Sequence, residues 1–359
     1  MPDDPNPEDP PVTAQSPTLE TRDVDPTEPG RIEPAYIHVP RFTAGAPESV
    51  EYLREHGYVV IAKALDDAAA VRALKLTWDY LESLGTGVDR ADPATWDDDR
   101  WPTTAHGGIL PGHGIGHSQA QWFIRSAPAI KRAFAAVWDT DDLLVSFDGM
   151  ALWRPWARNE AWRTNRGGTW LHIDQHPITR PGFHCVQGLV SLLPTSPEVG
   201  GNVLIPGSHR SFEKIPQVYP DRLGRLPLEL DHFRFPVDDP LLGGTQPVTC
   251  HMEAGDLLLW DSRTIHCSSG AEAPPPVADR LIRVASLVCM MPRRLTPPEV
   301  LEARKRAVAE VISTTNWTDR FINADEFAPI LAEPHPERFR RPDPPQLTPE
   351  QRRLVGYET

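Results

Sequence analysis

The chain has 359 residues, with 36 Lys and Arg against 50 Asp and Glu, a formal charge of −14, and 40 prolines. That length buries a core without disulfide or metal staples, and the acidic balance lacks the basic patch that a nucleic-acid backbone requires. No run of uncharged apolar residues is long enough for a membrane span, and the polar start MPDDPNPEDPP has no apolar signal core. Cys185, Cys250, Cys267 and Cys289 form no C-x-x-C pair. Their spacing speaks against a zinc ribbon or a disulfide framework, and fits a soluble cytoplasmic protein.

Residues 1–34 hold nine acids and two bases among prolines. Such a segment cannot bury enough apolar area to offset its ordering entropy and is expected to be disordered. Residues 46–57 predict a short amphipathic helix ended by Gly57, and 58–61 (YVVI) a strand. A second helix is expected over 66–84, opened by Asp66 and Asp67, acids suited to a first turn. The stretch 85–117 reads as loop, carrying His106, His113 and His117, and its Gly-rich half at 107–117 is a candidate lid. Residues 127–138 predict a helix with Pro128 in its first turn.

After Asp142 the pattern changes. Short apolar or alternating runs at 143–153, 169–174, 185–193, 202–205, 248–252, 257–262 and 281–291 are separated by Gly, Pro, Asp and Ser. That is the pattern of a β-sandwich or barrel. A last helix is expected over 296–313, with a Thr cap and prolines at its start. Beyond 333 the chain is Pro-rich, and its composition is compatible with an arm wrapped on the body or a loose one. The expected fold class is mainly β with flanking helices. One catalytic domain spans 35–332 with its β core at 140–295, and a C-terminal arm covers 333–359.

The sharpest chemical feature is TWLHID at 169–174. Alternate residues of a strand share a face. His172 and Asp174 therefore project together with Trp170, while Leu171 and Ile173 face the opposite layer. An imidazole beside a carboxylate supplies two members of the two-His-one-carboxylate triad, which holds Fe(II) and leaves three positions open. Composition alone supplies roughly one H-x-D by chance, and the competing reading is a hydrogen-bonded polar pair on a barrel wall. H-x-E recurs at His251–Glu253 and at His335–Glu337, the latter among prolines.

His266, where the run LLLWDSRTIH gives out, supplies a distant third ligand if its strand lies beside the first. His176, His184, His209, His232 and His251 compete for that place and are read as packed or solvated. Pro177 ends the strand face that His176 would share, and His209 follows a Pro-Gly-Ser turn.

The ordered set HIDQHP, GGNVLIPGSHRSF and GDLLLWDSRTIHCSSG resembles the phytanoyl-CoA dioxygenase family of Fe(II)/2-oxoglutarate oxygenases. The resemblance covers residues 50–295 and is strongest from Trp170 to Pro292. It implies a double-stranded β-helix, a jelly roll, with helices packed outside. Its cofactor is Fe(II), its co-substrates are 2-oxoglutarate and O2, and its iron ligands fall on His172, Asp174 and His266. It also implies an arginine at the start of the strand after the distal histidine, neutralising the far carboxylate of 2-oxoglutarate. A planar, permanently charged guanidinium suits that task.

Arg280 and Arg283 both qualify; Arg283 runs directly into the VASLVCM strand and matches better, with the insertion at 271–278 lengthening the gap. Ser268 is the implied hydroxyl on the same carboxylate. The GGNVLIPGSH segment is read as architectural. Trp153, Trp156, Trp162 and Trp170, with Arg154, Gln175 and Gln187, are candidates for a substrate pocket, with ordinary packing as the competing reading.

The implied reaction is hydroxylation of an unactivated C–H bond of a small molecule, with release of succinate and CO2. The aspartate at 174 speaks against halogenation, because related halogenases lack the carboxylate. Two other readings compete: an iron oxygenase that does not use 2-oxoglutarate, and a non-catalytic jelly-roll module that keeps its metal site. The identity of the substrate and the oligomeric state are not legible in the sequence.

Overall fold

A computed structural model of the chain describes residues 32–163, 170–228, 231–268, 278–324, 333 and 335–358. The acidic tail up to residue 31, Thr169 and nearly all of the 271–278 insertion lie outside the described residues. Strands β1 (Ala35–Ile37) and β2 (Arg41–Phe42) precede helix α1 (Pro47–His56). Gly57 ends that helix at φ 82°. A Cβ there would lie 2.5 Å from His209 Nδ1 and 2.6 Å from Thr264 Oγ1, so both backbone conformation and close packing call for glycine. Strand β3 (Tyr58–Ile61) follows, then α2 (Asp67–Ser83), whose N-terminus is capped by the Asp66 carboxylate accepting from Ala69 N at 2.8 Å.

Next come β4 (Ile109–Leu110), α3 (Gln119–Arg125), α4 (Pro128–Trp138), β5 (Leu143–Val145) and β6 (Met150–Trp153). The metal-motif half carries β7 (His172–Asp174), β8 (Val186–Ser191), β9 (Asn202–Leu204), α5 (Ile215–Val218) and α6 (Pro220–Arg225). It continues with β10 (His232–Arg234), β11 (Val248–Cys250), β12 (Leu257–Asp261), β13 (His266–Ser268) and β14 (Arg283–Pro292). Helices α7 (Pro298–Ala309) and α8 (Pro349–Val355) close the chain.

The strands form two sheets, ordered β1-β11-β9-β13-β7-β10 and β2-β3-β12-β8-β14-β6-β4, with β5 also on β14. This is the jelly roll with outer helices. Strand alternation sets what each face carries. In the smaller sheet Leu171, Ile173, Val203, Phe233, Ile265 and Cys267 join one apolar cluster with Phe212, Ile215 and Leu223. Their alternates His172, Asp174, Asn202, His232, His266 and Ser268 therefore turn to the opposite face. In the larger sheet Gln187 is in register with Trp260 and Cys289, and Arg283 with Trp153. Ser286 lies on the other face of β14, its hydroxyl bonded to Gln121 of α3.

Several expectations need correction. The run 143–153 is two strands, because Gly149 passes so close to β4 that a Cβ would sit 2.1 Å from Leu110 O. The last helix starts at Pro298 rather than on a Thr cap: the Thr296 hydroxyl donates to Thr318 O at 3.3 Å, and Pro297 holds the cap position. Residues 107–117 are not a free lid. Within them β4 pairs with β6, and the Trp153 ring covers Gly108 so closely that a Cβ would sit 2.4 Å from it.

The C-terminal stretch packs on the body. Leu354 and Val355 are buried, Arg304 donates to their carbonyls at 3.1 and 3.0 Å, and Lys131 meets Glu350 at 2.8 Å. Cys185 and Cys289 are buried free thiols with sulfurs 3.4 Å apart. Among the described residues no helix is long and apolar enough to cross a membrane.

His117 lies inside this frame, 3% exposed, with Nε2 2.8 Å from Ile312 O. Burial pushes its pKa down to about 3, against a partial opposing pull from that carbonyl. The unfolded chain titrates near 6.5, so between these values it binds one more proton here than the folded protein does. Stability should fall on acidification below about pH 6.5, by up to about 1.4 kcal/mol per pH unit from this group. Thermal unfolding of the wild type and His117→Gln at pH 7 and pH 5 tests this. The variant should show the shallower decline, and parallel declines would contradict it.

Candidate metal centre

Strand pairing assembles the site. In the smaller sheet β13 lies antiparallel to β7 with His266 opposite His172, and β10 lies on the other edge with His232 opposite Asp174. Partners across a ladder share a face, so residues far apart in the chain meet on one wall. His172 Nε2 is 3.4 Å from Asp174 Oδ1, and His266 Nε2 is 3.3 Å from Asp174 Oδ2. Both imidazoles are about 4% exposed, with ring centroids 4.3 Å apart.

Each imidazole is oriented by the chain just ahead of its own strand. His172 Nδ1 is 3.0 Å from Trp170 O, and His266 Nδ1 is 2.9 Å from Thr264 O. A carbonyl only accepts, so Nδ1 carries the hydrogen, and in the neutral ring Nε2 keeps its lone pair toward Asp174. Burial pushes the His172 pKa down to about 3, which keeps the ring neutral. Neutral imidazole and carboxylate are the donors a transition metal takes, so the donor set suits a ferrous ion.

Two residues join this wall that sequence reasoning had not placed there. His232 Nδ1 lies 3.6 Å from Asp174 Oδ1, its ring 4.4 Å from that of His172. By distance alone it competes with His266, since His172, Asp174 and His232 offer atoms within 4.8 Å of one another. A signal existed in the sequence: Phe233 and Phe235 alternate with His232 and Arg234, the period of a half-buried strand. Gln187, a candidate pocket residue, instead donates from Nε2 to Asp174 Oδ2 at 3.1 Å.

The two arginines separate clearly. Arg280 is exposed, whereas Arg283 is 3% exposed with its guanidinium stacked 4.5 Å over Trp153. Its Nη1 is buried without a hydrogen-bond partner, and burial pulls its pKa down to about 10. No carboxylate among the described residues pairs with it. A buried, uncompensated cation is costly, and an anionic ligand removes that cost. Ser268 is buried on β13, on the face shared with His266.

The other candidates divide between site and scaffold. Trp170 stacks on His172 at 4.7 Å and 11°, and His106 stacks on Trp170 at 3.8 Å and 2°. Arg154 is structural: it donates to Trp96 O at 2.7 Å, pairs with Asp98 at 2.7 Å and stacks on Trp162. Gln175 is turned into a loop, bonding Arg180 O and Gly182 O at 2.6 Å each. A cavity of about 200 Å³ opens beside Asp174 and His232, walled by Thr315, Asn316, Trp317 and Ile322. Arg320 lines it too and is already paired with Asp231. Sequence reasoning had not singled out this coil segment.

The family model of phytanoyl-CoA dioxygenase matches residues 53–272. Ava biosynthesis cluster protein O of Aspergillus versicolor is 30% identical over 280 residues, covering 76% of this chain and 86% of that protein. A hypothetical protein of Escherichia coli shares the fold at 16% identity, with a TM-score of 0.54 over 87% of this chain and 82% of its own. EctD from S. alaskensis, solved with 2-oxoglutarate and 5-hydroxyectoine, is 16% identical, with a TM-score of 0.44 over 76% and 85% of the two chains. With this match spanning the strands that carry His172, Asp174 and His266, the chain belongs to the phytanoyl-CoA dioxygenase family of iron- and 2-oxoglutarate-dependent oxygenases.

Proposed function

We propose that His172, Asp174 and His266 hold the ferrous iron, that Arg283 with Ser268 binds the far carboxylate of 2-oxoglutarate, and that the enzyme hydroxylates a small molecule. The observation carrying this reading is the pair of Nε2 atoms, each left free by an Nδ1 bond to the backbone two residues earlier and both facing one carboxylate. When bound, iron with 2-oxoglutarate and O2 supplies the oxidising chemistry that removes hydrogen from a C–H bond.

The chain's own residues bind, orient and exclude water. Gln187 fixes one carboxylate oxygen of Asp174, and the stacked Trp170 covers one side of His172. The partnerless Nη1 of Arg283 favours use of 2-oxoglutarate over an oxygenase without it. The retained carboxylate at 174 favours hydroxylation over halogenation. The cavity beside Asp174 and His232 is the substrate pocket in this reading, and its volume of about 200 Å³ admits the reacting end of a small molecule. Residues 35–332 form the catalytic domain, with 333–359 as an arm on its surface.

Two measurements test the assignment. Anaerobic Fe(II) with 2-oxoglutarate should produce a weak visible charge-transfer band that Asp174→Ala and His172→Ala abolish while circular dichroism stays unchanged. A band surviving in either variant would contradict the ligand set. Arg283→Met should stabilise the ligand-free protein in urea by about 1–4 kcal/mol, since it replaces an unpaired buried charge by an apolar chain. The same variant should lose the thermal shift that 2-oxoglutarate gives the wild type. Destabilisation with the shift retained would exclude Arg283 from the oxoacid site.

A further inference from the structure

His232 is the fourth titratable side chain on the metal wall, and its hydrogen bond from Arg234 distinguishes it from the other two histidines. Arg234 Nε lies 3.1 Å from His232 Nε2. A guanidinium nitrogen only donates, so Nε2 of His232 accepts through its lone pair. The neutral ring then carries its hydrogen on Nδ1, the atom 3.6 Å from Asp174 Oδ1. A metal-binding imidazole needs a lone pair turned to the ion. His172 and His266 present one toward Asp174, whereas the lone pair of His232 is turned away and occupied.

The backbone register makes this arrangement specific. On β10, His232 sits opposite Asp174 and Arg234 opposite His172, so both leave the sheet on the face of the site. Arg234 is exposed and has no carboxylate partner among the described residues; His232 is the side chain it engages. On the far side of the carboxylate, Gln187 Nε2 holds Oδ2 at 3.1 Å. The Asp174 side chain is a quarter exposed beside the cavity, so burial alone does not fix its orientation.

We propose that Arg234 and His232 are a positioning pair: Arg234 locks the His232 tautomer, and His232 directs an N–H at Asp174 Oδ1 opposite Gln187, without itself binding the metal. The inference rests on the reading that His172, Asp174 and His266 hold the iron. Partners that orient metal ligands typically contribute 10–100-fold to affinity.

Cobalt(II) titration of the full chain, followed by the visible d–d bands, tests it. His232→Leu should weaken Co(II) binding by roughly 10–100-fold, with the band shape at saturation unchanged. His232→Gln, whose amide N–H can face Asp174 but which is a poor ligand, should recover most of that affinity. Arg234→Leu should lose part of it, because an untethered ring no longer holds one tautomer. Equal losses in His232→Leu and His232→Gln with an altered band would make His232 a ligand and overturn the proposal, as would undiminished affinity in His232→Leu. His172→Ala and His266→Ala should abolish binding; if they do not, the ligand reading has failed, and not this one alone.

Discussion

In the proposed ligand set, everything depends on a hydrogen bond that each of the two histidines makes to the carbonyl two residues before it in its own chain. Trp170 O holds His172 and Thr264 O holds His266, and the two contacts turn both Nε2 lone pairs toward Asp174. Each of these carbonyls lies just ahead of the strand that carries the histidine, so the entry to the strand also sets the tautomer. Strand pairing then does the rest: placing His266 opposite His172 brings together groups from distant parts of the chain.

A wall of histidines and a carboxylate is poor packing, and the fold stabilises it by separating faces. The outer face of the smaller sheet buries Leu171, Ile173, Val203 and Cys267 with the α5–α6 region. The larger sheet packs its outer face on the helices. Apolar burial on both outer faces, at about 25 cal/mol per Å², leaves the inner faces free to carry polar groups. Arg283 shows the cost most plainly: it is a buried cation with a partnerless nitrogen. In the proposed reading the dicarboxylate co-substrate pairs that charge.

Much of the site was legible because its signal is periodic. His172-x-Asp174 declares itself through strand alternation, and His266 through its place at the end of an apolar run. Arg283 comes from the family pattern; it is buried, whereas Arg280 is exposed. His232 was set aside because β10 is three residues long and its place depends on which edge it pairs with. The coil at 315–322, which walls the cavity, has no periodicity to read. The lid reading of 107–117 failed for a tertiary reason. Gly116 passes so near Phe147 that a Cβ would lie 2.0 Å from its carbonyl, a contact local sequence does not disclose. Gln175 and Arg154 were polar residues near the motif in sequence, but they bond backbone carbonyls away from it.

The most direct test is anomalous scattering at the iron edge from crystals grown anaerobically with Fe(II) and 2-oxoglutarate. The account predicts one iron peak bonded to Nε2 of His172, Nε2 of His266 and an oxygen of Asp174, with the distal carboxylate of the oxoacid on Arg283. An iron bonded to His232 in place of His266, or a peak away from this wall, would contradict it.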